Sequence, residues 1–316
     1  ELASEWAGAD AILSSGGGYL YGSRRGMVLN WGILSLLAAA LSGRRTWLLP
    51  QSVGPFASAL QARLVKSLLD RSRGVYAREP LSLAALRELS VSAPCRLVPD
   101  LAIGLSREPG SGHPWQATVP RHKGHTWVGV TALDWQSHSE FFSGQHRYEE
   151  ELARFIGGLL ARPQTSVFLF PQCWGPHHYE DDRAVLRRLA EGIGAHDRLY
   201  LCQPQLDPLV LQDAYGQMGA IVGSRMHSVL FALNEGTPAA AIAYLPKSSG
   251  LMALLGLGRF CFDIADVRAE QLLDFVDYAL ENSERLRCQT RQAVSAQATV
   301  VEQALDELCK EIAEGA

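Results

Sequence analysis

Short apolar segments alternate with longer helix-forming segments along most of the chain, and this alternation restricts the possible folds more than any other feature. Ala9–Ser15, Thr46–Pro50 and Gly74–Ala77 are short and apolar, which predicts buried strands. Helices are predicted between them at Met27–Leu41 and near Ser58–Asp70. Buried strands that alternate with helices are typical of a parallel sheet covered on both faces. The N-terminal part of the chain is therefore predicted to be an α/β domain.

The alternation stops once and then begins again. A last N-terminal strand is predicted at Leu97–Leu105, and residues 107–124 are rich in Pro, Gly and charge, which is typical of a linker. We predict two Rossmann-like domains, residues 1–106 and 125–267, followed by helices over residues 268–316 that pack across both domains. The second domain is predicted to contain strands at Thr126–Ala132, Ser166–Phe170, Arg198–Leu201, Ala220–Val222 and Ala239–Ala243, with helices near Tyr148–Leu160, Asp182–Glu191, Pro208–Met218 and Arg225–Asn234.

Composition and charge argue against several classes of protein. The 316 residues are 47% hydrophobic and carry a net charge of −4, so no basic excess is present to follow a nucleic-acid backbone. The six cysteines are scattered without a CxxC pair, which fits reduced thiols better than disulfides or structural zinc. The charge-free segment 27–43 is shorter than the ~20 apolar residues of a membrane span, and it is predicted to be a buried helix. We expect a cytoplasmic protein without a signal peptide, a metal ion or a cofactor.

The segment Ile221–Leu233 (IVGSRMHSVLFAL) contains the strongest candidate for a ligand site. Gly223 and Ser224 form the predicted turn from strand to helix, and Arg225 opens the helix. Free amides and the positive end of a helix dipole favour an anion, and Arg225 offers a planar fork for a phosphate or carboxylate. His227 lies two residues further on, and histidine is the usual side chain for proton exchange near neutral pH. An anion site is predicted; an Arg225 paired with a carboxylate beside a solvated histidine is the plainer alternative.

A second cation follows the next predicted strand. Lys247 and Ser248 lie in Ala243–Gly250 (AYLPKSSG), which is predicted to be a loop at the same edge of the sheet. Because ligands of doubly wound folds bind at the carboxyl ends of the strands, we expect Arg225, His227 and Lys247 to converge on a pocket for a small dianion or trianion. An ordinary solvated lysine is the alternative.

Polar residues also follow the predicted strands of the N-terminal domain. Gly17 and Gly18 belong to a glycine turn that would let the backbone approach a ligand closely. Gln51 ends the next strand, where its amide could bind a sugar hydroxyl, and Arg78 ends the third. These residues are predicted to bind an acceptor. A salt bridge between Arg78 and Glu79 is the alternative for that pair.

One loop of the second domain combines amide, aromatic and imidazole side chains. Gln172, Trp174, His177 and His178 follow a predicted strand. Adjacent histidines cannot easily share one metal ion, and no third ligand is suitably spaced. Gln172 and Trp174 are therefore predicted to contact a sugar by hydrogen bonding and stacking. The acids of 180–182 are predicted to cap the following helix.

Six segments resemble the polysaccharide pyruvyl transferases in content and in order. They are GGGYL, LPQSVGPF, VYAREPLS, LVPDLAI, GSRMHSVLFAL and AIAYLPKSSGLMALLGL, and the resemblance extends from Ala9 to Leu257. It implies a fold similar to the GT-B glycosyltransferases. It also implies transfer of a pyruvyl group from phosphoenolpyruvate to two hydroxyls of one sugar, with release of phosphate and formation of a cyclic ketal.

The resemblance implies roles for the cationic residues as well. Arg225, His227 and Lys247 match the positions that act on the donor in such enzymes. His227 is expected to be the general acid and base, while Arg225 and Lys247 hold the phosphate and carboxylate. Relatives act on lipid-linked or polymer-bound sugars, so peripheral contact with the inner face of the cytoplasmic membrane is conceivable. Arginines 24, 25, 44 and 45 flank the helix at Met27–Leu41, although solvated helix ends explain them more plainly.

The chain departs from the family pattern in two respects. Many relatives carry an arginine near the end of the first strand of the second domain, where this chain has Ala132, Leu133 and Asp134. The family also has further strand–helix units before the GGG segment, so the N-terminal domain is expected to be incomplete at its start. The lost arginine leaves a non-catalytic carbohydrate-binding relative as one alternative.

Other enzyme classes are less compatible with the residues. A GT-B glycosyltransferase that uses a nucleotide sugar remains an alternative, with Glu235 of the segment NEGTP as the candidate ribose ligand. A dehydrogenase would need a GxGxxG fingerprint, which is absent. No Ser-His-Asp pattern or P-loop lysine motif indicates a hydrolase or a kinase.

Overall fold

A computed structural model of the chain describes Trp6 and residues 8–22, 27–106, 124–135, 143–175, 180–203 and 205–314. It divides into an N-terminal unit, residues 1–103 with 296–316, and a second unit, residues 104–295. The predicted linker lies outside the described residues except for Gly124, and the predicted domain boundaries stay predictions.

The N-terminal unit is built on one parallel sheet. Its strands run in the order β1-β3-β4-β5, and β2 also pairs with β3. The bounds are β1 Ala11–Ser14, β2 Gly17–Leu20, β3 Arg45–Val53, β4 Gly74–Ala77 and β5 Cys95–Leu97, with helices α1 Met27–Leu41, α2 Ala59–Leu69 and α3 Pro80–Glu88. The strand predicted at Leu97–Leu105 is displaced, because β5 ends at Leu97 and residues 101–104 form a turn.

The prediction that Gly17 and Gly18 form a turn after the first strand is wrong, because both residues belong to strand β2. β1 and β2 pair with successive stretches of β3, with Ser14 opposite Leu48 and Gly17 opposite Gln51. Gly17 and Gly18 thus lie in a continuation of the same sheet edge, which is interrupted at Ser15–Gly16. A side chain would be crowded here, because a Cβ on Gly18 would lie 3.0 Å from an Nη of Arg78.

Helix α1 has the predicted bounds, but the prediction that it is buried is wrong. Leu29 and Leu36 belong to the core, whereas Trp31 is 71% exposed and Leu41 is 74% exposed. The helix is apolar on all sides, and composition alone does not reveal that only one side is covered. In the described part of the chain, no helix combines the length and the apolar character needed to cross a membrane.

The second unit contains a six-stranded parallel sheet of order β11-β10-β9-β6-β7-β8. The strands are β6 Thr126–Thr131, β7 Thr165–Leu169, β8 Leu199–Leu201, β9 Ala220–Gly223, β10 Ala239–Ala243 and β11 Cys261–Asp263. The helices are α4 Gln145–Leu160, α5 Asp182–Ile193, α6 Pro208–Gly216, α7 Met226–Asn234, α8 Pro246–Leu254, α9 Ala269–Glu281 and α10 Ser283–Glu314.

These elements confirm the predicted α/β class with two Rossmann-like sheets and a helical C-terminus. The five strands predicted in the second unit are present within a residue or two of the predicted ends, whereas β11 was not predicted. Most residues of the central strands are apolar and buried, as expected of parallel strands covered on both faces. Residues 283–295 of α10 belong to the second unit and residues 296–314 to the N-terminal unit.

Candidate active site

The candidate site lies at the carboxyl edge of the second sheet. Strands β10, β9, β6 and β7 are neighbours and are parallel. The segments that leave them therefore lie side by side at one edge, which is where ligands of doubly wound sheets bind. Arg225 follows β9 and Lys247 follows β10.

Arg225 forms a buried ion pair with Asp182. Its Nη2 lies 2.7 Å from one carboxylate oxygen of Asp182, and its Nε lies 3.2 and 3.3 Å from the two oxygens. Asp182 is 1% exposed and also accepts hydrogen bonds from the backbone amides of Gln172 and Cys173. The carboxylate therefore fixes both the guanidinium and the loop after β7.

This ion pair is the plainer alternative that the sequence left open for Arg225, but it engages only part of the guanidinium. Nη1 of Arg225 makes no hydrogen bond to any side chain or backbone atom of the described residues. Burial opposes the charge of Arg225, yet Asp182 outweighs burial and raises the pKa of the guanidinium above its usual range. Arg225 stays cationic, with one nitrogen available for an anion.

Lys247 follows β10, the strand next to β9, and has an aromatic setting. Its Nζ is 5.1 Å from the centre of the Tyr244 ring, and the Trp135 ring lies 4.3 Å from that of Tyr244. The prediction that Lys247 lies in a loop is wrong, because Pro246 opens α8 and Lys247 belongs to its first turn. The half-exposed ammonium is thus placed at a helix N-terminus, where an anion is favoured.

Cys173 lies in the loop after β7 and experiences the charges of both cations. Burial raises the pKa of its thiol, and the positive charges of Arg225 and Lys247 act on it in the opposite direction. Tyr244 also contributes to the raised pKa of Arg225. Arg225, Lys247, Cys173 and Tyr244 therefore lie at the same carboxyl edge of the second sheet. Cys173 and Tyr244 were not predicted from the sequence, although Cys173 directly precedes Trp174 and Tyr244 lies three residues before Lys247.

His227 lies in the first turn of α7, the helix that follows Arg225. It is exposed on the first turn of α7, and its ring lies 6.1 Å from that of Phe231. No described distance links its ring to Arg225 or Lys247. Its catalytic role stays a prediction.

Ser224 is part of the support beneath the site. Its amide donates to Oγ1 of Thr131 at 3.1 Å, and its hydroxyl pairs with the Tyr148 hydroxyl at 2.6 Å. Thr131 in turn bonds to Ser228, whose hydroxyl donates to the carbonyl of Arg225. In this structure Ser224 therefore holds the strand-to-helix turn and has neither polar group free for a donor.

Gly223 allows α7 to approach β9 closely. A Cβ there would lie 2.6 Å from Oγ of Ser228 and 2.7 Å from a methyl of Val229. We expect Gly223→Ala to lower the free energy of unfolding of the second unit by about 1–3 kcal/mol through overpacking. Urea unfolding followed by circular dichroism measures this.

Gly157→Ala is the matched control for that prediction. Gly157 lies within α4, and nothing comes within 4 Å of a Cβ there. Because alanine favours a helix interior by ~0.5–1 kcal/mol over glycine, this variant should be at least as stable as the parent protein. Equal stability of both variants would show that Gly223 is not needed for packing.

Ser248 presents an unsatisfied polar group next to Lys247. Its side chain is 2% exposed, and its hydroxyl has no hydrogen-bond partner among the described residues. A buried hydroxyl without a partner costs free energy. Ser248 therefore places a buried, unpaired hydroxyl in the first turn of α8.

Gln172 and Trp174 are both engaged within the protein. The Tyr215 hydroxyl donates to the side-chain carbonyl of Gln172 at 2.8 Å. The guanidinium of Arg183 lies 4.3 Å above the Trp174 ring and is itself held by Asp181. Sugar contact by Gln172 and Trp174 stays a prediction, and His177 and His178 lie outside the described residues.

Arg78 and Glu79 form the salt-bridge network that was the alternative to acceptor binding. Nη1 of Arg78 lies 3.0 Å from Asp100, and its Nε is 3.4 Å from Glu79. Ser52 bridges Arg78 and Glu79 by two hydrogen bonds, and Ser82 also donates to Glu79. Both charged residues are almost fully buried. Arg78 therefore stabilises the carboxyl edge of the first sheet in this structure.

Gln51 retains one free polar atom. Its amide nitrogen donates to the Ser14 hydroxyl and to the Ser15 carbonyl. Its oxygen is buried without a partner among the described residues, and a Cβ on Gly17 would lie 3.9 Å from it. Gln51 and Gly17 thus lie together at the edge of the N-terminal sheet.

Leu133 lies in the segment where many relatives are expected to carry an arginine, and its side chain has no charge. Ala132 and Leu133 are fully buried, and the Leu133 carbonyl accepts from the Gln145 amide. Gln145 also fixes the Trp135 amide at 3.0 Å. The segment after β6 therefore contributes the aromatic ring of Trp135 where relatives are expected to contribute an arginine.

Two units with parallel sheets covered by helices define an α/β fold of the Rossmann-like class. The fold is similar to a putative UDP-N-acetylglucosamine 2-epimerase from Listeria monocytogenes, with a TM-score of 0.66 and 14% identity over 99% of this chain and 80% of that one. It is also similar to Alr3699/HepE of Anabaena in complex with UDP, with a TM-score of 0.61 and 16% identity over 98% and 81% of the two chains.

The sequence itself identifies the family. Residues 2–246 match the polysaccharide pyruvyl transferase family, and this chain belongs to it. The amylovoran biosynthesis protein AmsJ of Erwinia amylovora is 25% identical over 297 residues, which cover 90% of this chain and 69% of AmsJ. The resemblance stated from the six sequence segments is confirmed.

Proposed function

We propose that this protein transfers the pyruvyl group of phosphoenolpyruvate to two hydroxyls of one sugar in a polysaccharide or its lipid-linked precursor. Family membership supports a pyruvyl transferase. The observation that carries the donor assignment is the position of Arg225 and Lys247 after the adjacent parallel strands β9 and β10, with Nη1 of Arg225 still available. Phosphoenolpyruvate has a phosphate and a carboxylate, and each requires a cationic partner.

The reaction joins two sugar oxygens to one carbon, C2 of phosphoenolpyruvate. The oxygen of the first sugar hydroxyl bonds to C2 and gives up its proton, while C3 takes a proton and becomes a methyl group. The C2–O bond to phosphate then breaks with its electron pair, phosphate leaves, and the second hydroxyl bonds to C2 and loses its proton. The products are a cyclic ketal and inorganic phosphate.

We propose separate roles for the residues that bind the donor and for those that bind the acceptor. Arg225 and Lys247 hold the two acidic groups and stabilise the charge on the departing phosphate. The free hydroxyl of Ser248 adds a neutral donor beside Lys247. Gly223 and Ser224 act through their packing and internal hydrogen bonds. Acceptor contacts are proposed for Gly17, Gly18 and Gln51 and for Gln172 and Trp174, whereas Arg78 supports the sheet edge.

His227 is proposed as the group that moves the proton to C3. We expect His227→Gln to retain phosphoenolpyruvate binding but to lower phosphate release by ~10²–10⁴-fold, because glutamine cannot exchange a proton. Phosphate release with a saccharide acceptor measures turnover, and calorimetric titration measures binding. His146→Gln is the matched control, because His146 is an exposed histidine on α4. Retained turnover in His227→Gln would refute this role.

The alternative is a glycosyltransferase that uses a nucleotide sugar. The similar fold of a UDP-bound protein keeps it open. The candidate ribose ligand Glu235, however, ends α7 at the opposite end from Arg225 and accepts from Gln212 at 2.8 Å. A nine-residue helix is ~13 Å long, so Glu235 lies at the amino edge of the sheet. Thermal protection by UDP-glucose but not by phosphoenolpyruvate would favour this alternative.

A non-catalytic carbohydrate-binding protein would behave differently from both enzymes. It would bind a saccharide without releasing phosphate, since Leu133 replaces an expected arginine. The two cations that remain at the strand edge favour the enzyme. The phosphate-release assay separates these functions directly.

A further inference from the structure

The ammonium of Lys247 is held by an aromatic ring and not by a carboxylate. Its Nζ lies 5.1 Å from the centre of the Tyr244 ring, within the range of a cation–π contact. Among the residues that the structure describes, no acidic side chain forms an ion pair with Lys247. Arg225, which follows the adjacent strand, is instead paired with the buried Asp182. The two cations of the candidate site are therefore fixed by different chemistry.

The kind of partner decides what the ammonium can do for an anionic ligand. A lysine side chain has a flexible four-carbon stem, and ordering it costs conformational entropy. A carboxylate would order Lys247 but would also offset its positive charge. The face of an aromatic ring attracts the ammonium through its quadrupole and leaves the net charge uncompensated. Tyr244 therefore orders Lys247 while the full charge is kept for a ligand.

The ring of Tyr244 is itself fixed by Trp135, which belongs to the segment after β6. The two ring centres are 4.3 Å apart, and the ring planes are tilted by 51°. The Trp135 amide donates to the side-chain oxygen of Gln145 at 3.0 Å, and the Gln145 nitrogen donates to the Leu133 carbonyl at 3.1 Å. Gln145 is buried in the first turn of α4. A series of contacts therefore runs from α4 through Trp135 and Tyr244 to Lys247.

We propose that Tyr244, supported by Trp135, is a positioning residue that keeps the Lys247 ammonium at the carboxyl edge of the second sheet for the acidic donor. This role rests on the proposed function, in which Lys247 binds phosphoenolpyruvate. Neither ring has to touch the donor or to exchange a proton. Trp135 belongs to the segment in which many relatives are expected to carry an arginine, so this chain has an aromatic support there in place of a charge.

Calorimetric titration with phosphoenolpyruvate separates the ring of Tyr244 from its hydroxyl. We expect Tyr244→Leu to weaken binding by about five- to ten-fold, because the donor must then order the lysine side chain without help from the ring. Tyr244→Phe keeps the ring and should bind as the parent protein does. Trp135→Leu should act in the same direction as Tyr244→Leu, since the Tyr244 ring loses its support. Tyr278→Leu is the matched control, because Arg259 lies 4.7 Å above the Tyr278 ring in a cation–π contact outside the candidate site, and it should leave donor affinity unchanged.

A measurement on the protein without donor tests the contact itself. Reductive methylation with carbon-13 labels lysines for NMR and keeps their charge, and the chain has only four, Lys66, Lys123, Lys247 and Lys310. Lys247→Arg identifies the Lys247 signal by its loss. We expect this signal to show an upfield ring-current shift relative to that of the exposed Lys310. The shift should be retained in Tyr244→Phe and lost in Tyr244→Leu.

The outcomes separate this role from the proposed function. Absence of phosphoenolpyruvate binding to the parent protein would overturn the proposed function and this role with it. Equal donor affinity of Tyr244→Leu and the parent protein, or a Lys247 signal that does not depend on Tyr244, would overturn the positioning role alone. A loss of affinity that Tyr244→Phe shares would assign the effect to the hydroxyl and would also overturn it. Thermal unfolding of each variant confirms that it is folded.

Discussion

Replacement of Arg225 by lysine is expected to lower phosphate release from phosphoenolpyruvate by about 10²–10³-fold, the typical cost of losing one group that stabilises a developing anion. Lysine keeps the charge opposite Asp182 and so preserves the ion pair. It cannot hold Asp182 through two nitrogens and also present a third, as Arg225 does. The effect should therefore fall on turnover far more than on stability.

Arg162→Lys is the control for this change. Arg162 pairs with Asp277 at 2.7 Å, also through two nitrogens, but it lies after α4 at the amino edge of the second sheet. Its replacement should leave phosphate release unchanged. Equal activity of Arg225→Lys and the parent protein would mean that the third nitrogen of Arg225 does not act on the donor.

Replacement of Asp182 by alanine should destabilise the second unit by about 3–5 kcal/mol, as removal of one partner from a buried ion pair does. Arg225 would keep its charge without a partner, and the amides of Gln172 and Cys173 would lose their acceptor. The loop after β7 and the guanidinium would lose the group that orients them. We therefore expect turnover to fall together with stability, measured by urea unfolding and phosphate release.

Asp277→Ala provides the comparison for Asp182→Ala. Asp277 is 52% exposed and pairs with Arg162. An exposed pair contributes at most about 1 kcal/mol, so this variant should unfold near the urea concentration of the parent protein. A similar small effect at Asp182 would contradict the buried network described for the candidate site.

The strand and helix pattern could be predicted because it is local in the sequence. β10 and α1 have the predicted bounds, since alternation of short apolar runs with helical segments is visible without tertiary contacts. The exposed side of α1 could not be predicted, because the helix is apolar all round. Helix α3 was missed although Pro80 marks its first turn, and Lys247 was placed in a loop although Pro246 marks the start of α8.

The candidate site was only partly visible in the sequence. The sequence predicted that Arg225 and Lys247 follow adjacent strands at one edge of the sheet, and β9 and β10 are parallel neighbours. The convergence of Arg225, His227 and Lys247 on one pocket stays a prediction. Asp182 was interpreted as a helix cap, yet it pairs with Arg225, 43 positions along the chain. This contact depends on β7 and β9 flanking β6 on its two sides, an order that local sequence does not encode. The internal bonding of Ser224 and Arg78 likewise depends on residues from other strands.

Calorimetric titration of the protein with phosphoenolpyruvate tests the donor assignment most directly. We predict saturable binding that Lys247→Gln weakens by about 10–100-fold, the worth of a charge-assisted contact, and that the exposed-lysine control Lys310→Gln leaves unchanged. UDP-glucose should give no saturable heat. Binding of UDP-glucose without binding of phosphoenolpyruvate, or equal phosphoenolpyruvate affinity in Lys247→Gln, would contradict the pocket at the carboxyl edge of the second sheet.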